Sequence, residues 1–178
     1  EERIAIRYVV CVTAVFLTAF AVILLTFCFR KKQPKKEFSI AALGNYYPLA
    51  REAALKIKET SYINTSSYPM GEFVHGHFAL LNKSKVFLSF ITKDCSEYEL
   101  SLFKKILKTY KTKTIIFSDV YEDYDSDILI KIPKSQTKIG TILNLTVAIQ
   151  MLALKIAVIL RRNADKPAGL EKIVDKEK

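Results

Sequence analysis

Lys56 and Glu59 stand three apart in the run ALKIKETSYI, a spacing that sets an ammonium beside a carboxylate on a helix. A carboxylate so placed can take a proton and return it, while the cation steadies charge on a nearby oxygen. The same pair also reads as a solvated ion pair in a basic helix. Lys58 projects elsewhere. Both histidines follow, His75 and His77, sixteen and eighteen residues after Glu59 and on either side of Gly76. An imidazole at 75 can pass a proton to and from an oxygen near neutral pH, or simply hold its own loop. His77 is the weaker candidate. No Cys, Asp or Glu spacing completes a metal set around the two rings. Gly44 and Asn45, in GNYY, make a strand-to-helix turn able to hold an anion. No GxGxxG or GxxxxGK[ST] fingerprint occurs.

The elements that must position these residues follow from periodicity. Residues 38–43, FSIAAL, read as a strand entering a turn, and 48–63 as an amphipathic helix with Pro48 in its first turn. Residues 64–71 read as a polar turn and 75–81 as a short helical or irregular piece. KVFLSFI (85–91) is a buried strand. Residues 96–110 form a helix with Leu100, Phe103, Ile106 and Leu107 on one face and a capping box from Ser96 to Glu99. TKTIIFSD and SDILIKIP supply two further strands, and 139–160 a long apolar helix. Alternating helices and buried strands predict an α/β three-layer sandwich with a mostly parallel sheet. Ligands in such sheets gather beyond the C-terminal strand ends, which points to the turns after FSIAAL, VFLSFI and TIIFSD.

Half of the 178 residues are apolar, enough for one domain with a real core. The net charge of +10 suits anionic small molecules or an anionic surface. Scattered lysines among eighteen acids, without a zinc finger, KH loop or arginine-rich arm, argue against nucleic acid. The three cysteines, Cys11, Cys28 and Cys95, lie far apart and indicate a reducing compartment.

Three separated motifs, in order, carry a resemblance. They are ALGNYYPLAREAALKIKETSYINTSSYPMGEFVHGHFALL, the apolar helix NLTVAIQMLALKIAVIL, and the tail RRNADKPAGLEKIVDKE. Together they resemble the sugar isomerase (SIS) domain family, in particular the second SIS domain in the isomerase half of glutamine–fructose-6-phosphate aminotransferase (glucosamine-6-phosphate synthase). The resemblance implies that Glu59 is the base shuttling a proton between C1 and C2 of an open-chain sugar phosphate. Lys56 would support charge on the oxygens, and His75 would assist ring opening and reach into a neighbouring subunit's site. Lys172 would lie near the site. The ligand would be a hexose 6-phosphate or amino-sugar phosphate, the assembly a homodimer with SIS lobes facing each other, and no cofactor or metal would be required. A non-catalytic, sugar-phosphate-binding regulatory SIS domain is the alternative.

Departures from the family pattern bear on those roles. HGPLAL is HGHFAL here, and PRNLAKSVTVE is PAGLEKIVDKE, which puts the part of Lys172 in doubt. The serine-rich phosphate loop SQSGxTxDT and the cysteine-led glutaminase do not occur in these residues.

Residues 8–29 carry no charge and precede the basic run RKKQPKK. The length and flank fit a membrane span. The recurring threonines and alanines equally allow close packing in protein. The resemblance favours the second reading, with 1–36 the tail of a preceding SIS lobe and 37–178 the SIS domain. Localisation is then cytoplasmic, with membrane contact only through 8–29.

Overall fold

The computed structural model describes residues 37–82, 85–110, 112–122 and 124–170. Five strands form one sheet: β1 (Glu37–Ala42), β2 (Thr65–Pro69), β3 (Lys85–Ile91), β4 (Lys113–Ser118) and β5 (Ile128–Lys131). Their order is β2-β1-β3-β4-β5, and every neighbouring pair is parallel. Four helices accompany them: α1 (Tyr47–Ser61), the single turn α2 (Met70–Phe73), α3 (Glu97–Thr109) and α4 (Lys138–Ile159). The three-layer α/β sandwich expected from sequence is the observed fold.

Period two along the strands builds two cores. Phe38, Ile40, Val86, Leu88, Phe90, Ile115 and Phe117 point to one face, where Ala50, Ala53, Ala54 and Ile57 of α1 and Leu145, Leu152 and Ile156 of α4 meet them. Ala41, Phe87, Ile91 and Ile116 point to the other, against Met70 and Phe73 of α2 and Phe103 and Ile106 of α3. Both faces are covered, which is why the strands are mostly apolar, broken by the small buried Ser39, Ser89 and Thr114.

The capping box at the start of α3 is present, Ser96 accepting from the Glu99 N–H and Glu99 accepting from the Ser96 N–H. One expectation is corrected. Residues 64–71 are not merely a turn: 65–69 form β2, one of the two edge strands, paired Phe38 to Thr65 through Ala42 to Pro69. The segment TSSYP has no apolar run, and only Thr65 of it is buried.

Strand direction sorts the molecule into two edges. All C-terminal strand ends lie together, and each helix runs back from them. Thus α1 starts beside the end of β1 and finishes where the strands begin, as the bond from the Phe38 N–H to the Asn64 carbonyl at 3.0 Å marks.

Candidate functional site

The pair on α1 forms. Lys56 Nζ donates to Glu59 Oε2 at 2.9 Å and lies 3.7 Å from Glu52 Oε1. The Lys56 and Glu59 side chains are 34% and 27% exposed, so the pair is half-buried rather than freely solvated. The hydrogen bond to Glu59 raises the Lys56 pKa above its ordinary value, against the opposing effect of burial, and Glu52 adds to the rise. Ile57 and Ala53 bury the opposite side of α1, which is what turns Lys56 and Glu59 outward. Thr60 ties this end of α1 to α4, donating to the Ala153 carbonyl at 3.3 Å. Lys58 is exposed.

A residue the sequence reading did not single out holds the neighbouring chain. Tyr62 caps α1 in the left-handed region, φ 58°. Its hydroxyl accepts the Ala168 N–H, and the Arg162 guanidinium lies 4.9 Å from its ring centroid. The tail after α4 is therefore folded back onto the end of α1, three residues from Glu59. No spacing rule predicts such a contact, made across 106 residues. Lys172 lies outside the described residues, four positions beyond Ala168.

His75 sits elsewhere. It is exposed, on the turn after α2, with its N–H bonded to the Glu72 carbonyl at 3.1 Å. Gly76 follows at φ 144°, a backbone that side chains rarely adopt. His77 packs its ring 4.1 Å from Tyr68 and 6.2 Å from Phe73, and so anchors the turn that presents His75. After β2 the chain folds over the face of the sheet that α3 covers, Phe73 stacking on Phe87 and Phe78 packing on Tyr110. Glu59 is carried by α1 on the other face, so within one chain the sheet stands between the two.

Gly44 and Asn45 are exposed on the turn between β1 and α1, Gly44 at φ 45°. They stand at the start of α1, roughly 18 Å of helix from Glu59 at 1.5 Å per residue. The chain therefore does not join the Gly44–Asn45 turn and the Lys56–Glu59 pair into one site. Around the Gly44 turn the structure gathers other groups: the Tyr46 hydroxyl donates to Asp94 Oδ2 at 2.9 Å, tying the loop after β1 to the loop after β3. Burial pushes the Tyr46 pKa up to about 12, eased by Thr92 and reinforced by Asp94 and Asp119. Asp119, after β4, is buried and accepts the Lys93 N–H at 2.9 Å. Two carboxylates here make this crevice a poor seat for phosphate.

The SIS domain pattern matches residues 33–159. The chain belongs to the SIS-domain family. This SIS domain is related to the isomerase portion of glutamine–fructose-6-phosphate aminotransferases. It is 35% identical over 147 residues to the isomerizing enzyme of Buchnera aphidicola from Acyrthosiphon pisum, covering 80% of this chain and 24% of that protein. The C-terminal domain of glucosamine-fructose-6-phosphate aminotransferase from Francisella tularensis superposes with TM-score 0.70 at 28% identity, over 86% of this chain and 43% of that one. A likeness of fold alone extends to an Escherichia coli CFT073 protein solved in complex with A5P, with TM-score 0.65, 16% identity, and 92% and 95% coverage. The chain spans about a quarter of the length of the curated relatives it matches.

Proposed function

We propose that this chain is the isomerising lobe of a sugar-phosphate aldose–ketose isomerase, with Glu59 as the base. The observation that carries the reading is the half-buried Lys56–Glu59 pair at 2.9 Å, beside the point where Tyr62 ties down the tail. Glu59 takes the proton from one carbon of the open-chain sugar phosphate, leaving an enediolate, or its amino counterpart where the substrate carries nitrogen, and returns it to the adjacent carbon while a proton passes between the two heteroatoms. Lys56, three residues away on the same helix, supports the charge that develops on the neighbouring oxygen. His75 opens and closes the ring. Because the sheet stands between it and the Glu59 of its own chain, it serves the Glu59 of a second copy. Lys172 adds a cation near the site. The ligand is a hexose 6-phosphate or amino-sugar phosphate.

Glu59→Gln keeps size and hydrogen bonding and removes basicity. In the complete protein the expected result is retained binding of a hexose 6-phosphate with exchange of the C1 or C2 hydrogen into deuterated solvent slowed by at least about 100-fold, followed by NMR. Undiminished exchange in the variant removes Glu59 from the chemistry. Binding without exchange in the natural protein identifies the regulatory alternative instead.

A further inference from the structure

The edge strand β2 turns only small polar side chains toward α1. Thr65 and Ser67 pair in register with Phe38 and Ile40, so they point to the same face as those two, the face that α1 covers. Ser67 fills little space there, and a groove of about 440 Å³ stays open between β2 and the flank of α1. From the helix, Arg51, Leu55 and Lys58 line it, spaced four and three residues apart and so on one side of α1.

The charge in this groove is unbalanced. Among the described residues neither Arg51 nor Lys58 has an ion-pair partner, whereas Lys56, on the neighbouring side of the helix, has two. The groove holds one carboxylate, Glu52, and Lys56 already stands 3.7 Å from it. Arg51 and Lys58 are two turns apart, about 10.5 Å along the axis, and each side chain is long enough to reach the midpoint. Ser67 faces them across the groove with a hydroxyl. A guanidinium fork, an ammonium and a hydroxyl are the donor set that a tetrahedral, doubly charged group with three free oxygens takes up, which is a phosphate monoester.

The groove also runs up to the reactive pair. Glu52 borders it and approaches Lys56, which in turn donates to Glu59 at 2.9 Å. Leu55, 46% exposed, offers apolar surface on the way.

We propose that this groove seats the phosphate of a phosphate monoester. Arg51, Lys58 and the Ser67 hydroxyl donate to its oxygens, and the ligand's carbon chain runs over Leu55 toward Glu59. That this ligand is the substrate rests on the isomerase reading; the affinity for phosphate rests on the groove's own residues.

The test is calorimetric titration of the complete protein with inorganic phosphate and with fructose 6-phosphate and glucose 6-phosphate. Arg51→Gln combined with Lys58→Gln is expected to weaken binding of inorganic phosphate and of the sugar phosphate by at least about 10-fold each. Both side chains are exposed, so circular dichroism should not change. Arg51→Lys combined with Lys58→Arg, which keeps the charges, should retain most of the affinity. In the natural protein, phosphate should protect Lys58 from acetylation, read by peptide mass. Unchanged affinities in the glutamine variant, or no protection of Lys58, overturn the proposal. Loss of inorganic phosphate binding with undiminished binding of both sugar phosphates makes the groove a separate anion site and overturns it too. Glu59→Gln should leave phosphate affinity as it is. If that variant still exchanges hydrogen at the natural rate, the isomerase reading fails, and the Arg51 and Lys58 variants decide the groove independently.

Discussion

A residue without chemistry of its own, Tyr62, holds the tail close to the Lys56–Glu59 pair. Its hydroxyl is the acceptor for the Ala168 N–H, and its ring carries Arg162. Beyond that anchor the tail continues toward Lys172. Tyr62→Phe removes the acceptor and keeps the ring; Tyr62→Ala removes both. Faster hydrogen exchange across residues 163–170 is expected, modest in the first variant and larger in the second. A typical intramolecular hydrogen bond contributes about 0.5–1.5 kcal/mol, and this one is exposed, so exchange at the Ala168 amide should rise by roughly 2-fold in Tyr62→Phe. Mass spectrometry or NMR reads it directly. Unchanged exchange would show that the tail is held by other contacts. If the tail also completes the pocket, kcat falls with it while the circular dichroism of the domain does not change.

Among the elements, the join between β4 and β5 adds one carboxylate to its backbone ladder. Asp127, just before β5, accepts from the Thr114 N–H at 2.9 Å and the Thr114 hydroxyl at 3.1 Å, and pairs with Lys113. Burial alone would raise its pKa, but Lys113 and the two Thr114 donors outweigh it and hold the carboxyl below the usual value of 3.8. The sign follows: the folded state binds the Asp127 proton more weakly than the unfolded state. Its stabilisation is therefore fully present above the ordinary carboxylate value and drains away as pH falls through the depressed one. Asp127→Asn should cost about 1–2 kcal/mol at neutral pH and flatten the acid limb of stability, both measured by urea denaturation across pH. An acid limb identical to that of the natural chain would rule out this carboxylate as a contributor.

For the whole molecule, the sheet has a consequence that no single residue carries. It sets α1 with Glu59 on one face and the turn with His75 on the other, so a site using both would draw them from different copies. Glu59→Gln and His75→Ala chains should each be inactive in isomerisation, yet a mixture refolded or coexpressed together should recover activity. In a two-fold dimer each hybrid keeps one intact site, and statistical mixing then restores about a quarter of the natural rate. A mixture as inactive as its components would show that the two residues do not meet across an interface.

Local pattern alone determined much of this protein. Strands with both faces covered are mostly apolar, and helices with one covered face are apolar at every third or fourth position. The strands β1, β3, β4 and β5 and the helices α1, α3 and α4 were therefore legible, as was the Ser96–Glu99 cap, whose partners are three residues apart. The Lys56–Glu59 pair was legible for the same reason, one helical turn being a local distance. Strand β2 was not, because TSSYP buries only Thr65 and is held by its backbone bonds to β1, which leave no side-chain signature. Tertiary structure alone decided the rest. It placed Gly44 and Asn45 at the far end of α1 from Glu59, set the His75 turn across the sheet from α1, and brought the tail to Tyr62. Each of these depends on where a chain returns after crossing the sheet, and side-chain periodicity records which face is buried but not which distant segment comes to lie beside it.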